Sequence, residues 1–261
     1  MRAFSLILTY LKVNLMNEAA YRMNFYLQLY TSLIMAATSL GWLGIVFSQT
    51  QSINGWGSME LVALVGMFQT SHGLINLVTL PSLWKLLDEI HKGELDFMLL
   101  KPADAQLLTS FRQVNIARCA DVSIGLATLG YAFYHLRAVL TTESVVLFVL
   151  TFASGIILLY SFLFIITTTA FWFTKVNNIL SIHFAIFQSA RWPTDIYPIP
   201  FQRLMTFVFP IIFVVTVPAK ALLGRLSVTE IVAAFAVSLL FFVFARLFWK
   251  AGLKRYSGAS S

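Results

Sequence analysis

MNFYLQLYTSLIMAATSLGWLGIVF, residues 23–47, carries no charged side chain, and the longer stretch from Met23 to Trp84 carries one, Glu60. Each of the uncharged runs Met23 to Met59 and Leu61 to Trp84 can cross a bilayer as a helix. A hydrocarbon core about 30 Å thick needs about 20 apolar residues in helix, and a charge at its centre costs about 2.5–3.5 kcal/mol. Similar gaps recur from Ser144 to Thr174 and, less perfectly, from Asp121 to Leu136, Val176 to Ala190 and Ile231 to Ala245. The spacing predicts an all-α polytopic membrane protein with six transmembrane helices.

Composition excludes most other classes. Of 261 residues, 59% are hydrophobic and 11% charged, whereas soluble domains carry about 25% charged residues. No soluble domain fits beside six spans, so residues 1–261 are read as one membrane domain. The net charge of +7 comes from Lys and Arg at helix ends rather than from a clustered run. That pattern suits an anionic membrane leaflet and not nucleic acid. The single cysteine, Cys119, excludes an intrachain disulfide and reads as a packed thiol. No metal-ligand set is expected.

Residues 1–22 are read as a retained helix in the membrane interface. Phe4, Ile7, Leu8, Leu11 and Leu15 recur at helical spacing, while Thr9, Tyr10, Lys12 and Asn14 interrupt the apolar run too early for a signal peptide. Helix one is expected over Met23 to Phe47, and Asn54-Gly55-Trp56-Gly57 is a turn signal. Helix two follows over Met59 to Trp84. The most polar segment then holds Lys85, Asp88, Glu89, Lys92, Glu94, Asp96, Lys101, Asp104, Arg112 and Arg118, which places it in the cytoplasm by the retention of basic residues there. Helix three is expected over Asn115 to Leu136 and helix four over Ser144 to Phe173. A cytoplasmic turn at Lys175, Asn177 and Asn178 follows. Helix six covers Glu230 to Trp249, and residues 250–261 form a cytoplasmic tail that ends in a disordered Ser257 to Ser261.

Residues 177–224 admit two readings. Either Val176 to Arg191 crosses and the proline-studded remainder forms a partly re-entrant outer cap, or Ile179 to Arg203 stays at the cytoplasmic surface and Leu204 to Leu223 crosses. Basic-residue placement favours the second, since it keeps Arg191 and Arg203 inside. Pro193, Pro198, Pro200, Pro210 and Pro218 require broken helices, which protein-packed backbone tolerates and lipid-exposed backbone does not.

Several side chains stand out chemically. Gln69, His72 and Asn76 share one face of helix two and are candidate pathway-lining residues, with interhelical hydrogen bonding as the plainer role. His183 reads as a packed histidine. Thr167, Thr168 and Thr169 are placed to return their hydroxyls to the preceding helical turn, and the six tryptophans read as interfacial belts. Around Trp84 to Lys92, a short helix would wedge Leu86, Leu87 and Ile90 into a partner while Lys85, Asp88 and Glu89 form a polar rim. Gly93 would end that helix, Glu94 and Asp96 would meet basic residues, and Pro102 would stop the next helical turn. No G-x-x-x-x-G-K-[ST] pattern exists, so the chain lacks a phosphate-cradling loop of that type.

His91-Lys92-Gly93-Glu94-Leu95-Asp96-Phe97-Met98-Leu99-Leu100-Lys101-Pro102 resembles the G-x-L-D-x-x-L-L-(R/K)-P signature of type-2 ABC exporter permeases, in their uncharacterised-exporter branch. Tyr21-Arg22-Met23-Asn24-Phe25 is similar to the Y-R-x-x-F that opens helix one there. Pro193, Tyr197-Pro198, Pro210, Pro218 and Leu223-Gly224-Arg225-Leu226-Ser227 resemble the branch's outer cap. The resemblance implies a six-helix permease with an elbow helix and both termini cytoplasmic, in a bacterial inner membrane. It implies an ATPase-docking loop at residues 85–114, and an outer cap at residues 192–226 that follows a short helix five and places Arg191, Arg203 and Arg225 outside. Those arginines would bind outer-leaflet phosphates or pair with Asp195 and Glu230. The implied partners are two copies of a separate ABC ATPase subunit, a second copy of the permease or a related permease, and membrane lipid. ATP and magnesium would sit on the ATPase, with no cofactor in this chain. Implied cargo is hydrophobic or amphipathic: a lipid-like molecule, drug or glycolipid.

Two other classes compete. An integral-membrane transferase with His72 or His183 as base needs converging groups, yet Glu60, His72, Asp121 and His183 fall at scattered expected depths. A passive channel needs a charged ring or filter repeat, and neither is present.

Overall fold

A computed structural model describes residues 2–20, 22–137, 140–173 and 176–256. Tyr21, Lys175 and the tail Ser257 to Ser261, each given a role above, lie outside the described residues. So do the side chains of Phe4, Ile7, Arg22 and Asn177.

Helix α1 (Arg2–Ala20) precedes α2 (Arg22–Phe47). Asn14 Nδ2 donates to Arg112 O at 3.1 Å, and Lys101 Nζ lies 5.0 Å from the centre of the Tyr10 ring. These contacts hold α1 against the polar segment rather than among the spans. The turn after α2 is made by Asn54 and Gly55, both in left-handed backbone at φ 49° and 82°.

The second span is longer than its apolar run. Helix α3 (Ser58–Leu74) passes through a π turn at Ile75–Thr79 into α4 (Leu80–Lys92), so one candidate span extends from Ser58 to Lys92. Widening at the π turn alters the backbone hydrogen-bond ladder, and Leu77 O accepts from Asn115 N at 2.8 Å. Two short helices, α5 (Asp96–Leu99) and α6 (Ala105–Ser110), lead back to α7 (Cys119–Leu136). A Cβ added to Gly66 would lie 2.7 Å from Leu129 N, and one added to Gly125 would lie 2.6 Å from Thr70 N. Glycine therefore sets the close approach of α3 and α7, as small residues do where lipid provides no hydrophobic drive.

Helix α8 (Thr142–Thr168) starts from a capping box at Thr141 and Ser144. It packs on α12 (Val228–Leu253), where Ser154 Oγ and Ser238 Oγ lie 2.7 Å apart in the buried interface. At its far end Thr167, Thr168 and Thr169 donate to Leu163 O, Phe164 O and Ile166 O.

Between those helices lies the segment with two readings. Helix α9 (Val176–Phe187) and the 3-10 turn Gln188–Arg191 form a short rod. Helices α10 (Ile199–Arg203) and α11 (Thr216–Leu222) belong to two arms, Ile199–Val208 and Ile211–Leu222, bent 80° apart. Asn54 Nδ2 donates to Asp195 O at 2.9 Å, and Arg225 pairs with Glu60 at 2.7 Å. The two ends of the bent segment therefore meet the same end of the molecule, so it enters and returns. The crossing falls to α9, as the first reading has it, and Leu204 to Leu223 does not cross. Among the described residues, five helices are long and apolar enough to span by themselves. With α9 they make the six-helix polytopic architecture, all-α with a re-entrant cap.

Trp42, Trp84 and Trp172 are exposed, as belt residues should be, but Trp56 and Trp249 are 3% and 1% exposed and belong to the core. Trp249 is wedged against Phe164 and Phe171. Cys119 is exposed and not a packed thiol, because the first turn of α7 turns Ala120 and Asp121 inward instead.

Candidate functional site: a coupling end, a polar node and a cap

At the Gly93 end, α4 is strongly one-sided. Leu83, Leu86 and Leu87 are 0–2% exposed and face the chain's own core, as do Leu95 and Met98. The wedge of Leu86 and Leu87 is thus unavailable to a partner, because α6, α8 and the 3-10 turn Thr169–Phe171 that follows α8 already pack on α4. Glu89 is no rim residue either. Its side chain is 6% exposed, pairs with Arg112 and lies 3.9 Å from Lys85 Nζ. The exposed pair at this helix end is Asp88 with Lys92 at 2.9 Å.

Gly93, at φ 71°, ends α4 in left-handed backbone that a side chain would strain. Its neighbour Glu94 then projects outward, while Leu95 N donates to Tyr256 Oη at 2.9 Å and ties the loop to the end of α12. Asp96 opens α5, which ends at Leu99 before Lys101 and Pro102. Glu94 and Asp96 have no ion pair among the described residues, in contrast to Asp88, Glu89, Asp104 and Asp121. Beside them Phe97 and Leu100 are 77% and 82% exposed. This end thus presents two uncommitted carboxylates and two large apolar side chains. The sequence motif contained all four, but their exposure depends on how the loop folds back.

Within the spans, Gln69 Nε2 donates to Ser32 O on α2 at 3.4 Å, and Asn76 Nδ2 donates to His72 O at 2.8 Å. His72 Nδ1 lies 4.0 Å from Asp121 Oδ2, which also accepts from Arg118 at 3.1 Å. The structure brings together His72 and Asp121, which the sequence placed at different depths, because the tight α3–α7 contact aligns them. Gln69 and His72 line a small cavity of about 10 Å³ with Met35, Ser39, Phe68 and Arg191, and Asn76 does not reach it. His183 is 1% exposed among Phe162, Phe187 and Phe209, far more a core ring than a base.

At the opposite end the cap is held by charges. Lys220 Nζ reaches Asp195 at 3.1 Å and Glu230 at 3.4 Å, and Arg225 forks onto Glu60 at 2.7 and 3.0 Å. The cation that meets Asp195 and Glu230 is thus Lys220 and not an arginine. Pro193 precedes a 3-10 turn, Pro198 caps α10, Pro210 sits at the bend and Pro218 lies in the first turn of α11. Each marks a place where the backbone changes direction or a helix starts. Arg203 is exposed, and Arg191 lies over the Phe68 ring at 5.2 Å.

Among the described residues no group of three His, Cys, Asp or Glu side chains could hold a metal. No curated protein matches the chain. The family model described as ABC-2 family transporter protein matches residues 33–260, which takes in the first span from Leu33 onward, all the later spans, the Gly93 loop and the cap. The chain is therefore an integral membrane protein that belongs to the ABC-2 transporter family, whose members form the membrane-spanning part of ABC transporters.

Proposed function

We propose that this chain is the permease subunit of an ATP-driven exporter, with the Gly93 end cytoplasmic and docked to a separate ABC ATPase. The observation that carries the docking assignment is the surface around Gly93: Glu94 and Asp96 unpaired, Phe97 and Leu100 exposed, all fixed by a helix stop and by Tyr256. Carboxylates rimming apolar anchors are a suitable partner-binding arrangement, since anchors supply energy and charges supply register. The docking surface is thus Glu94, Asp96, Phe97 and Leu100, supported from behind by Lys85, Leu86, Asp88, Glu89, Leu95, Lys101 and Pro102.

Two ATPase subunits would act on a pair of permeases, two copies of this chain or one with a related partner. ATP and magnesium would be held by the ATPases. Closure of the ATPases would push on the Gly93 loop, and the continuous Ser58–Lys92 rod would carry that displacement into the membrane. The Asn54 end and the cap then face outward, both termini lie in the cytoplasm, and a bacterial inner membrane is the natural setting. Cargo is hydrophobic or amphipathic, in keeping with spans that hold few charges.

Purification of the permease from its native host tests the assignment. An ATP-hydrolysing subunit is expected to co-purify, and sustained transport by the permease without one would overturn it. Accessibility to an impermeant thiol reagent on a Cys119→Ala background tests orientation: Asn54→Cys and Asp195→Cys label from outside and Lys92→Cys from the cytoplasm.

A further inference from the structure

We infer that Arg191 forms an intramembrane anion site, and that the cargo or lipid held there is an anionic amphiphile carrying a phosphate or carboxylate head. This deepens the permease reading and rests on it for the word cargo.

The other half-buried cations that face the interior of the described structure have a carboxylate. Arg112 has Glu89, Arg118 has Asp121, and Lys220 has Asp195 and Glu230. Arg191 has none among the described residues. Its guanidinium lies over Phe68, and its Nε is buried without any hydrogen-bond partner. An arginine in a membrane protein is costly to leave uncompensated, because the low dielectric strengthens every unpaired charge.

Depth makes this more than a surface charge. Phe68 lies eight residues beyond Glu60 on α3, and at 1.5 Å per residue that is about 12 Å inward from the Asn54 end. The chain has brought the cation there on a 3-10 turn, Gln188–Arg191, at the end of a short crossing helix.

Beside Arg191 is space. A cavity of about 270 Å³ is lined by Ser39, Trp42, Leu43, Val65, Arg191 and Trp192. Through Ser39, Val65 and Arg191 it adjoins the small cavity that reaches Gln69, His72 and Asp121. The lining matches an amphiphile part by part. Arginine offers a planar fork of donors suited to phosphate or carboxylate, and the two indoles with Leu43 and Val65 accept an acyl chain. Trp42 is 63% exposed on α2, which opens the cavity sideways toward lipid. Asp121 is excluded as the missing counter-ion because it is already shared between Arg118 and His72.

The test is binding to the purified permease without ATPase, so that a failed docking model does not affect it. Dodecyl phosphate, inorganic phosphate and dodecyltrimethylammonium are titrated against intrinsic tryptophan fluorescence, with Trp42→Phe identifying the reporting ring. Dodecyl phosphate is expected to bind at least tenfold tighter than the cationic amphiphile and than inorganic phosphate. Arg191→Gln should abolish that preference, and Arg191→Lys should keep part of it while showing that the fold survives. Equal binding of both amphiphiles, or an unchanged preference in Arg191→Gln, would overturn the site. So would inorganic phosphate binding as tightly as its dodecyl ester, which would make the occupant a free ion. Conversion of a dimer to monomer by Arg191→Gln with dodecyl phosphate binding intact would assign the charge to a permease contact instead. Stimulation of ATP turnover by dodecyl phosphate in the assembled transporter would identify the occupant as cargo. Tight binding without stimulation would establish a resident lipid and overturn the cargo assignment.

Discussion

The two ends of the molecule use similar residues for opposite purposes. At the Asn54 end, Glu60, Asp195 and Glu230 are consumed internally by Arg225 and Lys220, and the result is a re-entrant cap stitched to the first hairpin. At the Gly93 end, Glu89 and Asp104 are consumed by Arg112 and Arg246, yet Glu94 and Asp96 are left over beside Phe97 and Leu100. An end that satisfies its carboxylates is finished by folding. An end that leaves some unpaired is completed by something else.

The sharpest way to break this comparison is the double substitution Glu94→Lys with Asp96→Lys. If those carboxylates meet a basic partner, ATPase association should weaken by about 3 kcal/mol, since like charges repel and the partner's cations lose their counter-ions. The permease alone should keep its melting temperature. Pull-down and ATP turnover at equal expression check it, and unchanged association would reduce the motif to a solvated loop.

Arg112→Ala attacks the internal pair at the same end. It leaves the nearly buried Glu89 with only the more distant Lys85, and stability of the purified permease should fall by about 2 kcal/mol. Thermal unfolding in detergent reads this directly. A null result would mean that Glu89 finds water once Arg112 is gone.

Arg225→Ala applies the same test to the cap. The Arg225 side chain is 47% exposed, so solvent screening reduces the expected loss to about 1 kcal/mol. Faster labelling of Asp195→Cys from outside should accompany it, because the cap is freed from Glu60.

The smallest effect concerns pH. Hydrogen bonds from Arg246 hold the Asp104 carboxyl below its ordinary value despite partial burial. A depressed carboxylate contributes stability that is present above its unfolded value of about 3.9 and is lost as pH falls through the lower folded value. Between pH 7 and 5 the pair should therefore contribute no slope. Below about pH 4 wild type should lose less than about 1 kcal/mol that Asp104→Asn has already lost, as read from melting temperatures in acetate and glycine buffers.

Much of the architecture was legible as gaps between charges, because lipid penalises charge more uniformly than any protein core does. Met23 to Phe47, Ser144 to Phe173 and Gly93 as a helix stop needed nothing beyond that and glycine's φ freedom. The cap was ambiguous because α9 is too short for a length criterion, and only contacts such as Asn54 with Asp195 decide which segment crosses. The docking surface was half legible. The motif pointed to the right loop, but the amphipathic pattern of α4 does not say whether Leu86 and Leu87 face a partner or the chain itself. That choice depends on α6 and the end of α8, distant in sequence. Likewise the resemblance named Arg191 together with Arg203 and Arg225 and could not separate it from them, since an unpaired cation is a property of everything around it.

The π turn at Ile75–Thr79 gives the second span a phase. One residue corresponds to about 100° of rotation around an α-helix, and a π turn is a place where an α-helix accommodates one residue more. Everything beyond Thr79 is therefore rotated relative to what a continuous α-helix would present. The first half of that rod is oriented by Gly66 and Gly73 against α7, whereas the second half is oriented by the burial of Leu83, Leu86 and Leu87. Those two demands need not agree in angle, and a single extra residue reconciles them.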